Sequence, residues 1–135
     1  MVSETQVINA LSNEKSLVLF DLVAFEGGDR ESIIDRLSLT RKQYHSRIFA
    51  LRESGLVEKT NGKYFLTSFG KVVHGARQLI GSGVKDYRKL NAIDVIQHEI
   101  PEKRHNEIVE TLIDNEEIKE LLFRDVPPVP AKPDK

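Results

Sequence analysis

The residues of this 135-residue chain that could do chemistry are four histidines, twenty-one carboxylates and twenty lysines and arginines. Their spacing narrows what that chemistry is. His98, Glu99, Glu102 and His105 lie close in sequence, and imidazoles and carboxylates are metal ligands. Pro101 interrupts the helix that would bring them to one face, so no metal site is expected there, and His45 and His74 stand apart. Asp114, Glu116, Glu117 and Glu120 read as the solvated start of a helix, where acids favour the positive end of the macrodipole. No nucleophile is spaced with a base. Gly81-x-Gly83 lacks the preceding strand that a nucleotide-binding fingerprint requires. The absence of cysteine removes thiolate metal ligation, disulfides and a thiol redox switch. On these residues neither an enzyme nor a cofactor is expected.

A pattern does exist among the basic and amide side chains. Arg41, Lys42, Gln43, His45, Ser46 and Arg47 crowd into seven residues, and Arg, Lys, Gln, His and Ser are side chains that read base edges in the DNA major groove. From Leu37 to Lys71 seven lysines and arginines face only two acids, Glu53 and Glu58. A solvated helix face is usually mixed in sign, so this bias is informative. The net charge of −1 carries no such information, because the balance is uneven along the chain. Residues 1–80 hold eleven basic and nine acidic residues, whereas 81–135 hold nine and twelve. A local basic footprint is what a nucleic-acid contact needs.

The elements that must position these residues can be read next. Thr40 is an N-cap, and Tyr44, Ile48 and Leu51 recur at i, i+4 and i+7, drawing one buried stripe on a helix over 41–54. At about 100° per residue, Lys42, Ser46, Phe49 and Glu53 lie opposite that stripe, with Gln43 and His45 on its flanks. Gly55 supplies the left-handed position that stops the helix. Asn61-Gly62 is a strong hairpin signal, since both central residues of that turn need positive φ, and it predicts strands at 57–59 and 63–66. Lys59 and Lys63 flank the turn and make a short basic tip, suited to phosphate contact rather than deep minor-groove reading.

The run Leu37-x-Leu39-Thr40, Tyr44, Ile48-x-Ala50-Leu51-Arg52-Glu53-x-Gly55-Leu56-Val57 resembles the recognition-helix segment of ArsR/MarR-type winged helix-turn-helix transcriptional regulators, especially small archaeal ones. Tyr64-Phe65-Leu66-Thr67-x-x-Gly70 resembles their step from wing into the next helix, and the likeness spans roughly residues 13–80. It implies a mainly α fold with a small β-hairpin wing, followed by C-terminal helices. It also implies a regulator of transcription that binds double-stranded DNA sequence-specifically. Arg41, Lys42, Gln43, His45 and Ser46 would face base edges, while Thr40, Arg47, Arg52, Lys59, Lys63 and Tyr64 would hold phosphates. Phe49 departs from the family's polar pattern; it would touch a thymine methyl, sit against the wing or a partner, or lie at the edge of the core. The rival reading is a winged-helix protein-interaction module of a transcription or replication complex, since fold does not fix function.

Along the chain, residues 1–12 read as a short helix or an arm, and 13–81 as the DNA-binding domain. A helix from Asn13 to Phe25 carries two apolar faces and should end at Gly27-Gly28. Asp29 should cap a short helix that buries Ile33, Ile34 and Leu37, ahead of the Ser38-Leu39-Thr40 turn. Thr67 opens a further helix, with a kink or boundary expected at Gly81-Ser82-Gly83. Residues 82–124 should hold an amphipathic helix to about His98, another beginning at Pro101, and a last one capped by Asp114 or Asn115. At roughly forty residues this region is too small for an independent globular domain. The resemblance implies that it forms a homodimer through Val84, Tyr87, Leu90, Ile93, Ile96, Ile108, Leu112 and Leu121; the alternative is a helical cap on the same monomer. Residues 125–135 hold four of the five prolines and should be a disordered tail. The longest apolar run, Leu17 to Phe20, is far too short to span a bilayer and no signal-peptide layout is present, so a cytoplasmic protein is expected. The operator, any small-molecule effector and the sign of regulation are not written in these residues.

Overall fold

The computed structural model describes residues 1–26, 29–99 and 101–124. It is mainly helical, with one two-stranded antiparallel sheet among the described residues. The chain divides into two compact units, Met1–Arg77 and from Gln78 onward.

In the first unit, α1 (Glu4–Ala10) begins where Ser3 Oγ accepts from the Gln6 amide at 3.1 Å. Of the two expectations for this segment the short helix holds, and its Val7 is part of the unit's core. Asn13 starts α2 (Glu14–Glu26), its Oδ1 accepting from the Lys15 amide at 2.9 Å. Only one of the two expected apolar faces of α2 is deeply buried, that of Leu19, Phe20 and Val23; Val18 and Phe25 remain exposed. The proposed stop at Gly27-Gly28 lies outside the described residues. In α3 (Arg30–Leu37), Ile33 and Ile34 are buried, and Ser38 ends the helix in the left-handed region at φ 52°. Asp29 occupies the N-cap of α3 as expected, yet its carboxylate makes no capping hydrogen bond.

A capping box starts α4 (Arg41–Glu53): Thr40 Oγ1 accepts from the Gln43 amide, and Gln43 Oε1 accepts from the Thr40 amide, both at 3.0 Å. Tyr44, Ile48 and Leu51 are the buried stripe, and Gly55 follows the helix at φ 77°. Strand β1 (Val57–Thr60) pairs with β2 (Lys63–Leu66) in the register Val57 with Leu66 and Lys59 with Tyr64. Asn61 and Gly62 both have positive φ, which a primed two-residue turn demands. Thr67 Oγ1 then donates to the Gly55 carbonyl at 2.6 Å and accepts from the Gly70 amide at 2.8 Å. Only glycine fits at position 70, because an added methyl would collide with the Leu56 carbonyl oxygen.

The next helix, α5 (Ser68–Lys85), runs through Gly81-Ser82-Gly83 without the boundary that their composition suggested. Glycine lowers helix propensity by about 1 kcal/mol relative to alanine, a cost the intact hydrogen-bond ladder tolerates. Within the first unit, Asp21 of α2 joins two residues of α5: its Oδ1 lies 3.2 Å from His74 Nε2, and its Oδ2 accepts from Arg77 Nη2 at 3.1 Å. The edges of Phe20 and Phe25 flank the His74 ring.

The second unit contains α6 (Tyr87–Gln97), α7 (Glu102–Leu112) and α8 (Glu116–Phe123). Pro101 is the N-cap of α7 rather than its first residue, and Asn115 caps α8, its Oδ1 accepting from the Ile118 amide at 2.9 Å. Ile93, Val109, Ile113 and Ile118 form a core of their own, with Leu79, Leu90, Ile108, Leu112 and Leu122 packed on it. Leu79 of α5 thus contributes to the apolar centre that these three helices bury. The 125–135 tail lies outside the described residues.

Candidate nucleic-acid interface

The rotation of α4 is fixed by its core stripe. With Tyr44, Ile48 and Leu51 turned inward, Arg41, Lys42, Gln43, His45, Ser46, Phe49, Arg52 and Glu53 are all exposed. The structure thus brings every side chain expected to read bases to the surface of one helix. It also changes what two of them are free to do. Gln43 and Thr40 are engaged with each other's backbone in the capping box, so a contact from either to DNA would compete with the helix start. Arg41 Nη2 lies 3.3 Å from Glu31 Oε1 in an exposed pair, which contributes about 0–1 kcal/mol and opens readily for another anion. Arg47 is half-buried, and its Nε is sealed from solvent with no acceptor among the described residues. Phe49 is 59% exposed, which excludes the edge-of-core reading.

The hairpin divides its lysines between two faces. Because side chains alternate along a strand, Lys59 and its cross-strand partner Tyr64 share a face with Val57 and Leu66, while Lys63 and Thr60 point the other way. Lys59 Nζ stands 5.8 Å from the Tyr64 ring centroid, a cation–π contact. The tip is basic as expected, but its two charges are not side by side. On the Lys59 side, the first turn of α3, Tyr44 and His45 of α4 and the hairpin enclose a cleft of about 260 Å³. Burial pushes the Tyr44 phenol above its ordinary value, and Tyr64 and Asp29 add to that shift while Arg30 opposes it.

Two groups escaped the reading of the sequence. Arg30 and Asp29 line this cleft, and only the packing of α3 beside α4 and the hairpin places them there. The Asp21–His74–Arg77 cluster joins residues more than fifty positions apart; the i, i+3 spacing of His74 and Arg77 was its one local trace.

The residues assigned to a dimer contact separate into two sets. Ile93 is buried in the second unit's own core, and the half-buried Leu90, Ile108 and Leu112 pack against it. Ile96 is half-buried, whereas Val84, Tyr87 and Leu121 are exposed, the first two at 71% and 62%. Among the described residues no cluster of three or more histidines and acids could hold a metal ion, and no helix is long and apolar enough to cross a membrane. No family model, curated protein or solved structure matches the chain.

Proposed function

We propose that this protein is a winged helix-turn-helix transcriptional regulator that binds duplex DNA sequence-specifically, with α4 in the major groove and the β1–β2 hairpin on the backbone. The observation that carries the reading is the outward face of α4. A helix held by three buried residues presents Arg41, Lys42, His45 and Ser46 from its N-terminal half, beside a hairpin bearing Lys59 and Lys63. Helix-turn-helix proteins approach base edges with the N-terminal residues of the second helix, and α3, the tight 38–40 turn and α4 have that order. In this reading Arg41, Lys42, His45 and Ser46 read bases, Arg47, Arg52, Lys59 and Lys63 hold phosphates, and no catalysis or cofactor is involved. Two copies would pair through Val84, Tyr87 and Leu121, presenting two α4 helices to an inverted repeat.

A second reading is favoured by Phe49. A large apolar side chain exposed in the middle of the outward face also suits a protein partner, as in winged helices that assemble complexes without touching DNA. A mobility shift on random duplex DNA across a salt series separates the two. The DNA reading expects binding that weakens linearly in log[salt]; absence of any shift at low salt would favour the protein partner.

A further inference from the structure

The cleft beside the hairpin holds a polar group with no hydrogen-bond partner among the described residues. The Tyr44 ring is built into the core, leaving the residue 1% exposed, but its hydroxyl makes no hydrogen bond among the described residues. That oxygen is not among the side-chain atoms sealed off from solvent; the cleft that Tyr44 lines is where it emerges. A hydroxyl that reaches solvent and has no protein partner among the described residues is free to meet a ligand atom there. A phenol is protonated at neutral pH, so it can act as a donor there.

A second feature converges on the same space. The N-terminus of α3 opens on the cleft through Asp29, Arg30 and Glu31, and the Asp29 carboxylate does not cap it. The first-turn N–H groups of a helix and its positive macrodipole end attract an anion. Arg30 and Lys59 bring positive charge, while the Glu31 carboxylate lies 3.3 Å from Arg30 and 3.3 Å from Arg41, which offset it. Asp29 is the group that opposes an anion. We propose that this cleft binds a phosphoryl group, as a phosphodiester or a phosphomonoester, with the Tyr44 hydroxyl and the start of α3 as donors and Arg30 and Lys59 as countercharges. At about 260 Å³ the cleft suits a phosphoryl group with one ester arm, and falls below the range of pockets for drug-sized ligands. The duplex as the source of that phosphate rests on the DNA-binding reading above; the site itself does not.

The test uses the full-length protein, observed by amide NMR at constant ionic strength and titrated separately with inorganic phosphate, a 5′-mononucleotide and random duplex DNA. Saturable shifts at Arg30, Gly62 and Tyr64 are expected with at least one of them. Y44F, which removes only the hydroxyl, should weaken binding about tenfold, the size of one hydrogen bond to a charged group. D29N should tighten it severalfold. Should Y44F fail to fold, D29N, at an exposed N-cap position, carries the test by itself, and unchanged or weaker binding overturns the site. Phosphate or mononucleotide binding with duplex affinity indifferent to both variants assigns the cleft to a free phosphomonoester. Phosphate binding with no duplex binding keeps the site and removes the DNA reading. Duplex binding indifferent to both variants, with no response to phosphate or mononucleotide, overturns the site and leaves DNA binding standing.

Discussion

Single side chains in the candidate interface have separable roles, and salt dependence tells them apart. If Arg47, Lys59 and Lys63 each neutralise one phosphate, replacing any of them by alanine should flatten the slope of log K against log[salt] by about 0.9, with little change in sequence preference. A triple variant with the wild-type slope would remove all three from the contact. Thr40→Ala, by contrast, should lower stability by about 1 kcal/mol through loss of the cap, whether or not DNA is present. Tyr44 gives a signature in alkali. Its neutral form is favoured in the folded state, so its contribution to stability is complete below the ordinary tyrosine value of about 10 and is lost as pH rises through the higher folded value. Ultraviolet titration of tyrosinate should therefore show one delayed step that is missing in Tyr44→Phe.

At the scale of the element, α4 is held by its three buried residues, and its rotation decides every contact assigned to it. Ile48→Ala or Leu51→Ala should cost roughly 2–5 kcal/mol in chemical denaturation, whereas exposed Lys42→Ala should stay within about 0.5 kcal/mol. The opposite ranking would mean that the helix is turned and that its outward residues are wrongly assigned. The junction after the hairpin is as constrained. Thr67 joins the Gly55 carbonyl to the Gly70 amide, and the Leu56 carbonyl oxygen leaves no room for a side chain at position 70. Gly70→Ala should thus destabilise the first unit far more than Gly75→Ala, where a methyl would enter open space.

For the whole molecule, the open matter is what the second unit presents to another copy. With Ile93 committed to its own core, Ile93→Ala should unfold that unit rather than dissociate subunits. The exposed pair Val84 and Tyr87 should do the reverse. A Val84→Glu, Tyr87→Glu variant is expected to keep its helical content and to sediment as a monomer at concentrations on the order of tens of micromolar, where the proposed dimer would have the wild type sediment as two copies. A two-fold dimer would set two recognition helices about 34 Å apart, so its operator should be an inverted repeat with half-sites one helical turn apart. A wild-type protein that sediments as a monomer at these concentrations would end both the dimer and the palindrome.

What the sequence determined by itself is local. The Thr40–Gln43 box, the Gly55 stop, the Asn61-Gly62 turn and the Tyr44–Ile48–Leu51 stripe were legible because each involves residues within about two helical turns, whose geometry is set by the intervening backbone. The exposed set on α4 followed from that stripe. Tertiary structure decided whatever depends on which elements meet. It buried one face of α2 rather than two, since burial needs a partner surface and not only an apolar residue. It carried α5 through two glycines that composition marked as a break, because propensity is weak beside an intact hydrogen-bond ladder. It also directed Ile93 inward to Val109, Ile113 and Ile118, where a periodic stripe looks the same whether it faces its own chain or another. Asp21 is joined to His74 and Arg77, and Tyr44 shares a cleft with the start of α3, across stretches of chain that no spacing rule spans.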